Sequence, residues 1–335
     1  MTVKVAINGF GRIGRNVFRA LIENPRSDVE IIAVNTIPSL SDSAYLLEFD
    51  SVHGRLPTSV TIEGDMMHVA GNKVRFLSER DPEALDWGAL GVDVVMECTG
   101  IFTDADKAAV HLRGGAKKVL VSAPSKGADL TVVYGVNHTL ISPEHKIISN
   151  ASCTTNCLAP IAHILHNTCG IKQGFMTTIH SYTSDQRILD TEHKDLYRSR
   201  AAALNMIPTT TGAAKAVGLV LPELNGKLDG VAIRVPTPNV SAVDFVFEPI
   251  KQTSADEINQ FIKIAANGEL KGVLDFTERE LVSTDFNHHP ASSIAHIDQT
   301  RVMPDGMTRI FSWYDNEWGF SNRMIDVCKS LEQLL

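Results

Sequence analysis

A cysteine near the middle of the chain stands where it could act as a nucleophile. Cys153 follows a strand-like segment that ends at Ile148, and residues 157–165 after it have the pattern of a helix. Because Ser149, Asn150 and Ser152 are good helix-capping residues, we expect Cys153 in the first helical turn. Unpaired N–H groups and the helix dipole favour an anion there. Such a position lowers the pKa of a thiol, and the same N–H groups can stabilise the oxyanion of an attacked carbonyl. A buried structural cysteine is the alternative, and this stretch alone does not decide between the two.

A histidine in the second half of the chain is suited to assist such a thiol. The strand predicted over residues 171–179 delivers His180 at its end, and small polar residues follow it. A histidine in that position can act as general base to the thiol and later as general acid to an alkoxide. His163 and His166 share a helix face but have no cysteine or carboxylate pattern around them, so we expect no metal site. An aromatic and polar cluster over residues 313–317 indicates a further part of a site.

The second half also carries groups that could bind phosphate. Residues 183–206 form a long, polar and basic segment, and loops of that length are often functional. Residues 208–212 precede an apolar helix predicted over 213–221, which places hydroxyl and backbone N–H groups at a helix N-terminus. Each arginine taken singly could instead form an ordinary surface ion pair. The candidates for one or two phosphate pockets are Thr183, Arg198, Thr211 and Arg234.

A glycine motif near the N-terminus predicts a dinucleotide site. A strand over residues 3–8 runs into Gly9, Gly11 and Gly14, which match G-x-G-x-x-G, and residues 15–22 have helical periodicity. In this setting Gly9 permits the tight turn, Gly11 the approach of a pyrophosphate and Gly14 the close packing of helix on strand. The helix N-terminus then faces the phosphates.

Alternating strands and helices continue through the first half, and a different pattern follows. Because ligands bind at the carboxyl ends of strands in open α/β sheets, we expect Thr99, Gly100 and Ser122 to line the cofactor cleft. The remaining elements predicted here are a helix over 104–113 and a hairpin insertion over 60–77. Later strands and flanking helices predict a mixed sheet. We therefore predict an α/β protein, with a Rossmann-type parallel-sheet domain over residues 1–150 and an α+β catalytic domain with a mixed, largely antiparallel sheet over residues 151–316.

Composition excludes several other classes of protein. The net charge of −8 is unlike the basic charge typical of a general nucleic-acid binder. No apolar run approaches the roughly 20 residues of a membrane-spanning helix, and the N-terminus lacks the pattern of a secretory signal, so we expect neither a membrane nor a nucleic-acid partner. The five cysteines are odd in number and scattered, which suits a reducing cytoplasm.

These stretches together resemble the phosphorylating (type I) glyceraldehyde-3-phosphate dehydrogenase family over essentially the whole chain. The resemblance is carried by ordered motifs rather than by a single residue. The most specific of them are residues 7–15, 149–156, 177–183, 208–215, 234–238 and 313–319.

The resemblance implies a reaction and an assembly. Cys153 would attack the aldehyde of D-glyceraldehyde 3-phosphate with His180 as base, a hydride would pass to nicotinamide, and inorganic phosphate would release 1,3-bisphosphoglycerate from the thioester, a step of glycolysis and gluconeogenesis. The C-terminal helix, residues 317–335, would pack back on the first domain. The family is usually a homotetramer, in which residues 183–206 form a loop near a neighbouring subunit's cofactor.

The resemblance also implies roles for residues beyond the catalytic pair. The substrate phosphate and inorganic phosphate would be contacted by Ser152, Thr154, Thr183, Arg198, Thr211, Gly212 and Arg234. The cofactor would be bound by Gly9, Gly11, Arg12, Ile13, Gly14, Thr36, Arg80, Ser122 and Asn316.

Three positions depart from the family pattern, and the first two of them concern the choice of cofactor. Thr36 stands where the family has an NAD-selecting aspartate, Thr191-Glu192 replaces a Leu-Pro pair that accompanies NAD preference, and Tyr197 replaces a common arginine. Glu192 adds negative charge close to where a 2′-phosphate would sit, which opposes NADP. We expect NAD as the cofactor and leave use of NADP open.

Two other functions are compatible with parts of this pattern. An erythrose-4-phosphate dehydrogenase of the same superfamily would keep Cys153 and His180 but release an acid, whereas the anion site over 208–212 suits phosphorolysis. A non-catalytic NAD-binding or interaction protein would not need the thiol, the imidazole and the arginines together. Cys157 is interpreted as a small core residue rather than a resolving thiol.

Overall fold

The structure, a computed structural model, describes residues 2–26 and 28–335. The chain forms two compact units, Met1–Ser152 with Ser321–Leu335, and Cys153–Phe320. Within the described residues, no helix combines the length and the apolar character needed to cross a bilayer.

The first unit alternates strands and helices. Its described elements in chain order are β1 (Val3–Asn8), α1 (Arg12–Glu23), β2 (Val29–Asn35), α2 (Leu40–Glu48), β3 (Phe49–Asp50), β4 (Gly54–Arg55), β5 (Val60–Glu63), β6 (Met66–Val69), β7 (Asn72–Leu77), β8 (Val94–Glu97), α3 (Ala105–Ala108), α4 (Val110–Arg113), β9 (Lys118–Val121), β10 (Leu130–Thr131) and β11 (Ile147–Ser149).

The sheet of this unit is mostly parallel. Its strand order is β10-β11-β9-β8-β1-β2-β7-β6-β5, with parallel pairing from β10 to β7 and antiparallel pairing beyond it. The central strands are apolar because helices and loops cover both faces, and Val5 and Ile7 are completely buried. This arrangement confirms the predicted Rossmann-type sheet.

Two local predictions in this unit were only partly correct. The antiparallel strands predicted over 60–77 are present as β5, β6 and β7, but they are not an insertion, because β7 also pairs in parallel with β2 and extends the main sheet. The predicted helix over 104–113 is also present, but it is divided at Ala109 into the short helices α3 and α4. Hydrophobic periodicity in the sequence does not show which distant strand a strand pairs with, or where a helix is interrupted at a single residue.

The second unit is built on a mixed sheet. Its described elements are α5 (Cys153–Thr168), β12 (Ile171–Ser181), β13 (Ile207–Thr210), α6 (Ala213–Val220), β14 (Leu228–Val235), β15 (Ser241–Pro249), α7 (Ala255–Asn267), β16 (Leu274–Thr277), β17 (Ser293–His296), β18 (Arg301–Val302), β19 (Thr308–Tyr314) and α8 (Trp318–Ser330), the last of which continues into the first unit.

Strand pairing in this sheet places two polar residues side by side. The strand order is β13-β14-β12-β15-β19-β17-β16, with β18 also paired to β19. Only β12 with β14 and β16 with β17 run parallel, which confirms the predicted, largely antiparallel character. In the β12–β14 ladder His180 is the direct partner of Arg234.

Candidate active site

Cys153 and His180 lie next to each other in the second unit. Cys153 is the first residue of α5, and His180 lies one residue before the end of β12. The Cys153 Sγ atom is 3.5 Å from His180 Nε2. His180 Nδ1 is 2.7 Å from the carbonyl oxygen of Ser181, which can only accept, so Nδ1 carries the proton and Nε2 presents its lone pair to the thiol. The pair therefore has the geometry of a nucleophile beside its base.

The pKa expected for Cys153 from its place on the helix was wrong in direction. Burial raises the pKa of the Cys153 thiol, and this outweighs the opposing effects of the Arg234 guanidinium and of hydrogen bonds from Thr154. Burial, together with the positive charge of Arg234, lowers the pKa of His180 to about 3. At neutral pH the site thus holds a neutral thiol beside a neutral imidazole, and the thiolate forms by transfer of a proton to Nε2.

The backbone just before Cys153 adopts an uncommon conformation. Ala151 has a φ of +54° and is completely buried. Its N–H donates to Ser149 Oγ at 3.1 Å, and the Ser149 hydroxyl donates to the Ala123 carbonyl oxygen at 2.8 Å. A left-handed alanine costs about 1–2 kcal/mol, so the surrounding contacts must hold it in place. This turn leads the chain directly into the helix that starts with Cys153.

A buried tyrosine connects the two elements that carry Cys153 and His180. The Tyr314 hydroxyl is 2.9 Å from both Thr154 Oγ1 and Thr178 Oγ1. Thr178 donates its own proton to the Ala242 carbonyl oxygen at 3.1 Å, so it accepts from Tyr314, which in turn accepts from Thr154. The sequence indicated a site over residues 313–317 but did not single out Tyr314. Because the Thr154 hydroxyl is engaged in this chain, its contact with phosphate stays a prediction.

Two arginines in this unit interact with each other but have different hydrogen-bond partners. Arg198 Nη1 donates to Asp185 Oδ2 at 2.6 Å, whereas Arg234 Nη1 donates to the Ser181 carbonyl oxygen and to Thr183 Oγ1, both at 3.1 Å. Burial and the positive charge of Arg198 both lower the pKa of Arg234. Arg198 is paired with the carboxylates of Asp185 and Asp195, whereas Arg234 contacts neutral acceptors, so its charge favours an anion beside it.

Buried donors in the same place point to the same ligand class. Arg234 Nε and Gln186 Nε2 are buried and have no hydrogen-bond partner among the described residues. Buried donors are normally paired, and an oxyanion would satisfy such groups. Gln186 was not singled out in the sequence, because an isolated glutamine carries no recognisable spacing.

The other predicted phosphate contacts lie on neighbouring segments. Arg198 donates to Thr209 Oγ1 at 3.2 Å and to the Thr210 carbonyl oxygen at 3.4 Å, which brings it to the segment that ends at Thr211. Gly212 is the N-cap residue of α6, and the Ala213 N–H donates to Thr211 Oγ1 at 3.2 Å. Ser152, partly buried, directly precedes Cys153. Binding of phosphate by these groups stays a prediction.

A cavity of about 550 Å³ lies in the first unit where β1, β2 and β8 end. Among the predicted cofactor residues it is lined by Gly9, Gly11, Thr36 and Arg80. Gly9 has a φ of +97°, and a Cβ atom there would lie 2.6 Å from the backbone nitrogen of Thr99. A Cβ atom on Gly14 would lie 2.2 Å from the Gly9 carbonyl oxygen. Only glycines permit this close turn, and the cavity it borders fits part of a dinucleotide.

The remaining predicted cofactor residues are placed differently. Arg12 forms an ion pair with Asp50 at 2.5 Å. Ile13, Gly14 and Ser122 are not among the residues that line the cavity. Asn316 belongs to the second unit, where its Oδ1 atom accepts hydrogen bonds from the hydroxyls of Ser181 and Ser241, both at 2.8 Å, so its Nδ2 group is left to act as the donor. Contact of these residues with a cofactor stays a prediction.

Comparison with known proteins gives consistent matches along the chain. Residues 3–105 match the model of the NAD binding domain of glyceraldehyde 3-phosphate dehydrogenase, and residues 152–316 match that of its C-terminal domain. The chain is 61% identical to glyceraldehyde-3-phosphate dehydrogenase of Cereibacter sphaeroides over 335 residues, which cover 100% of both chains. It is 60% identical to that of Xanthobacter flavus, again over 100% of both, and 56% identical to that of Geobacillus stearothermophilus over 98% of this chain and 97% of the relative. The chain therefore belongs to the glyceraldehyde-3-phosphate dehydrogenase family, and its first unit contains the family's NAD-binding domain.

Proposed function

We infer that the chain catalyses the oxidation and phosphorylation of D-glyceraldehyde 3-phosphate to 1,3-bisphosphoglycerate in glycolysis and gluconeogenesis, with NAD as cofactor. The observation that carries this inference is the Cys153 thiol, 3.5 Å from the unprotonated Nε2 atom of His180. Family membership supports the substrate, because the relatives that match the whole chain are named for it.

The residues of the second unit account for the proton transfers. As Sγ of Cys153 attacks the aldehyde carbon, His180 Nε2 takes the thiol proton, and the backbone N–H groups at the start of α5 can stabilise the developing oxyanion. His180 then gives this proton to the oxygen, which completes a thiohemiacetal, and takes the hydroxyl proton back when that carbon is oxidised to a thioester. NAD, when bound, supplies the acceptor for the hydride. Phosphate oxygen finally attacks the thioester carbon, and the C–S bond breaks to return Cys153.

The two compact units are proposed to divide this work. We assign dinucleotide binding to residues 1–150 and catalysis to residues 151–316, with the C-terminal helix joined to the first domain. Support comes from the membership of Ser321–Leu335 in the first unit and from the 2.6 Å ion pair between Arg26 and Asp326. In the first domain the turn at Gly9 and Gly11 would hold the cofactor together with Thr36 and Arg80.

A kinetic experiment with and without inorganic phosphate tests the proposed reaction. We expect steady turnover only when phosphate is present, because the thioester on Cys153 otherwise accumulates after the first oxidation. Undiminished turnover without phosphate would contradict the assignment and favour the erythrose-4-phosphate alternative, in which water releases an acid.

Running the assay with NAD and with NADP measures the preference left open by Thr36, and we expect the larger kcat/KM with NAD.

Arg234→Leu is expected to lower kcat/KM for the substrate by roughly 100-fold, because it removes a half-buried charge that we assign to phosphate binding. Most of the loss should be a higher KM for the substrate or for phosphate. The matched control is Arg309→Leu, which breaks the ion pair with Asp244 in the same sheet. Equal effects of the two substitutions on kcat/KM would show that Arg234 has no special role in binding anions.

We also propose that the protein is a cytoplasmic homotetramer. Large apolar side chains of the segment over residues 188–206 are exposed, and Ile188 is 86% exposed and Leu196 81%. Exposed apolar surface of this kind is typical of an interface between subunits. All five cysteines are free, which suits a reducing compartment. Light scattering on the purified protein tests the assembly: a monomer at micromolar concentration would contradict it.

A further inference from the structure

A row of buried polar residues crosses three parallel strands below the nucleotide cavity. Glu97, Asn8 and Asn35 are the last residues of β8, β1 and β2, and their exposed fractions are 1%, 2% and 5%. In the sheet Asn8 is the direct partner of both Glu97 and Asn35. The mechanism proposed above gives this row no task.

Glu97 is surrounded by hydrogen-bond donors on both of its oxygen atoms. Oε1 accepts from the Thr99 N–H at 2.7 Å and from the Thr99 hydroxyl. Oε2 accepts from Asn8 Nδ2 at 2.6 Å and lies 3.0 Å from His111 Nε2. The Thr99 hydroxyl itself accepts from the N–H of Ile101, so its proton is available to the carboxylate. A carboxyl group that accepts at every contact is present as the charged carboxylate.

The histidine in this group has a defined tautomer. Trp87 Nε1 can only donate, and it lies 3.2 Å from His111 Nδ1. Nδ1 is therefore unprotonated, and Nε2 carries the proton that His111 donates to Glu97. The side chains of His111 and Glu97 are both fully buried. A charge buried in this way costs solvation free energy. Its four hydrogen bonds offset this cost, but they do not make the folded protein more stable than apolar residues of similar volume would at the same place.

The row connects three walls of the cavity. Glu97 holds the turn at Thr99, and Asn8 precedes Gly9, whose backbone approaches Thr99 closely. Asn35 donates to Asn8 Oδ1 at 2.8 Å and to the Glu79 carbonyl oxygen at 2.9 Å, and it accepts from the Glu79 N–H at 2.8 Å. Glu79, Thr99 and Gly9 all line the cavity. One buried network thus fixes the positions of segments that are far apart in the sequence.

We propose that Glu97 is a positioning residue for the cofactor: its carboxylate, oriented by His111, holds the glycine turn, the Thr99 turn and the Glu79–Arg80 segment in the arrangement that binds the dinucleotide. The proposal rests on the assignment of NAD to this cavity. It assigns the buried charge to ordering the site rather than to stabilising the fold.

Glu97→Gln separates these two tasks. An amide has one accepting oxygen and one NH₂ group, so whichever way it turns, NH₂ faces donors and one side of the network is lost. We expect the Kd for NAD, measured by titration calorimetry on the full-length protein, to rise about 10-fold or more, with kcat at saturating NAD changed less than threefold. His111→Phe removes one donor without altering a residue that lines the cavity, and a smaller rise in Kd is expected. If Glu97→Gln does not fold, the Kd of His111→Phe for NAD tests the proposal instead.

The matched control is Val95→Ala, which removes two methyl groups from the buried interior of the same strand. It should lower Tm without changing the Kd for NAD. A Glu97→Gln protein that loses stability like the control yet keeps the wild-type Kd would overturn the proposal. If the wild-type protein itself fails to bind NAD, the assignment of the cavity is wrong, and this result is distinguishable from a failure of the network.

Discussion

Cys153→Ser is expected to lower kcat/KM for D-glyceraldehyde 3-phosphate by about 10⁴-fold or more while the protein stays folded. A serine hydroxyl is far less acidic than a thiol, and an alkoxide is a poorer leaving group than a thiolate when phosphate attacks. The neutral imidazole beside it therefore cannot sustain either step at a comparable rate. Steady-state kinetics with purified enzyme measures the loss, and circular dichroism verifies the fold.

Cys157→Ser is the matched control for this substitution. Cys157 lies one helical turn further along α5, is fully buried and has its Sγ atom 3.5 Å from the hydroxyl of Ser293. Burial raises the pKa of its thiol to about 12, and its sulfur contacts a serine hydroxyl rather than an imidazole that could take the proton. We expect the control to keep most of its activity and iodoacetamide to modify Cys153 alone. Comparable activity of Cys153→Ser and wild type would refute the thioester mechanism.

His180→Asn is expected to lower kcat by about 10²–10⁴-fold, the usual contribution of a general acid and base. The remaining activity should rise with pH, because hydroxide must then generate the thiolate whose pKa is raised by burial. Wild-type kcat should be less dependent on pH across the neutral range, because the pKa of His180 is about 3 and the base is already unprotonated. Parallel pH profiles for the two proteins would argue against a base at this position.

The same histidine makes stability depend on pH in a defined direction. Its pKa is about 3 in the folded protein and about 6.5 in an unfolded chain, so the unfolded state binds the proton first as the pH falls. The stabilising contribution is complete above about pH 6.5 and decreases toward pH 3, by about 2 kcal/mol at pH 5. The free energy of unfolding should therefore fall less between pH 7 and pH 5 in His180→Asn than in the wild type, as measured with urea.

Sequence patterns predicted the parts of this protein that depend on short-range order. The glycine motif gave the turn at Gly9, and capping residues placed Cys153 at the start of its helix. The environment of these groups depends on contacts between distant residues. Burial reversed the direction of the pKa shift expected for Cys153, and no spacing in the sequence links Tyr314 to Thr154 or His111 to Glu97. Polar residues at strand ends look alike in a sequence, whether they contact a ligand or support the residues that do.

The pairing of His180 with Arg234 across two parallel strands has a geometric consequence. Neighbouring strands are held about 4.8 Å apart by their hydrogen bonds, so this ladder fixes the separation between the backbones of His180 and Arg234. Neither residue can move along its strand without a change of register, which would also turn its side chain to the other face. With His180 as the proposed base and Arg234 as the proposed phosphate ligand, the pairing of β12 with β14 would set the distance between reacting carbon and terminal phosphate that the enzyme accepts. Substitutions in loops would change this distance far less than a one-residue shift of β14.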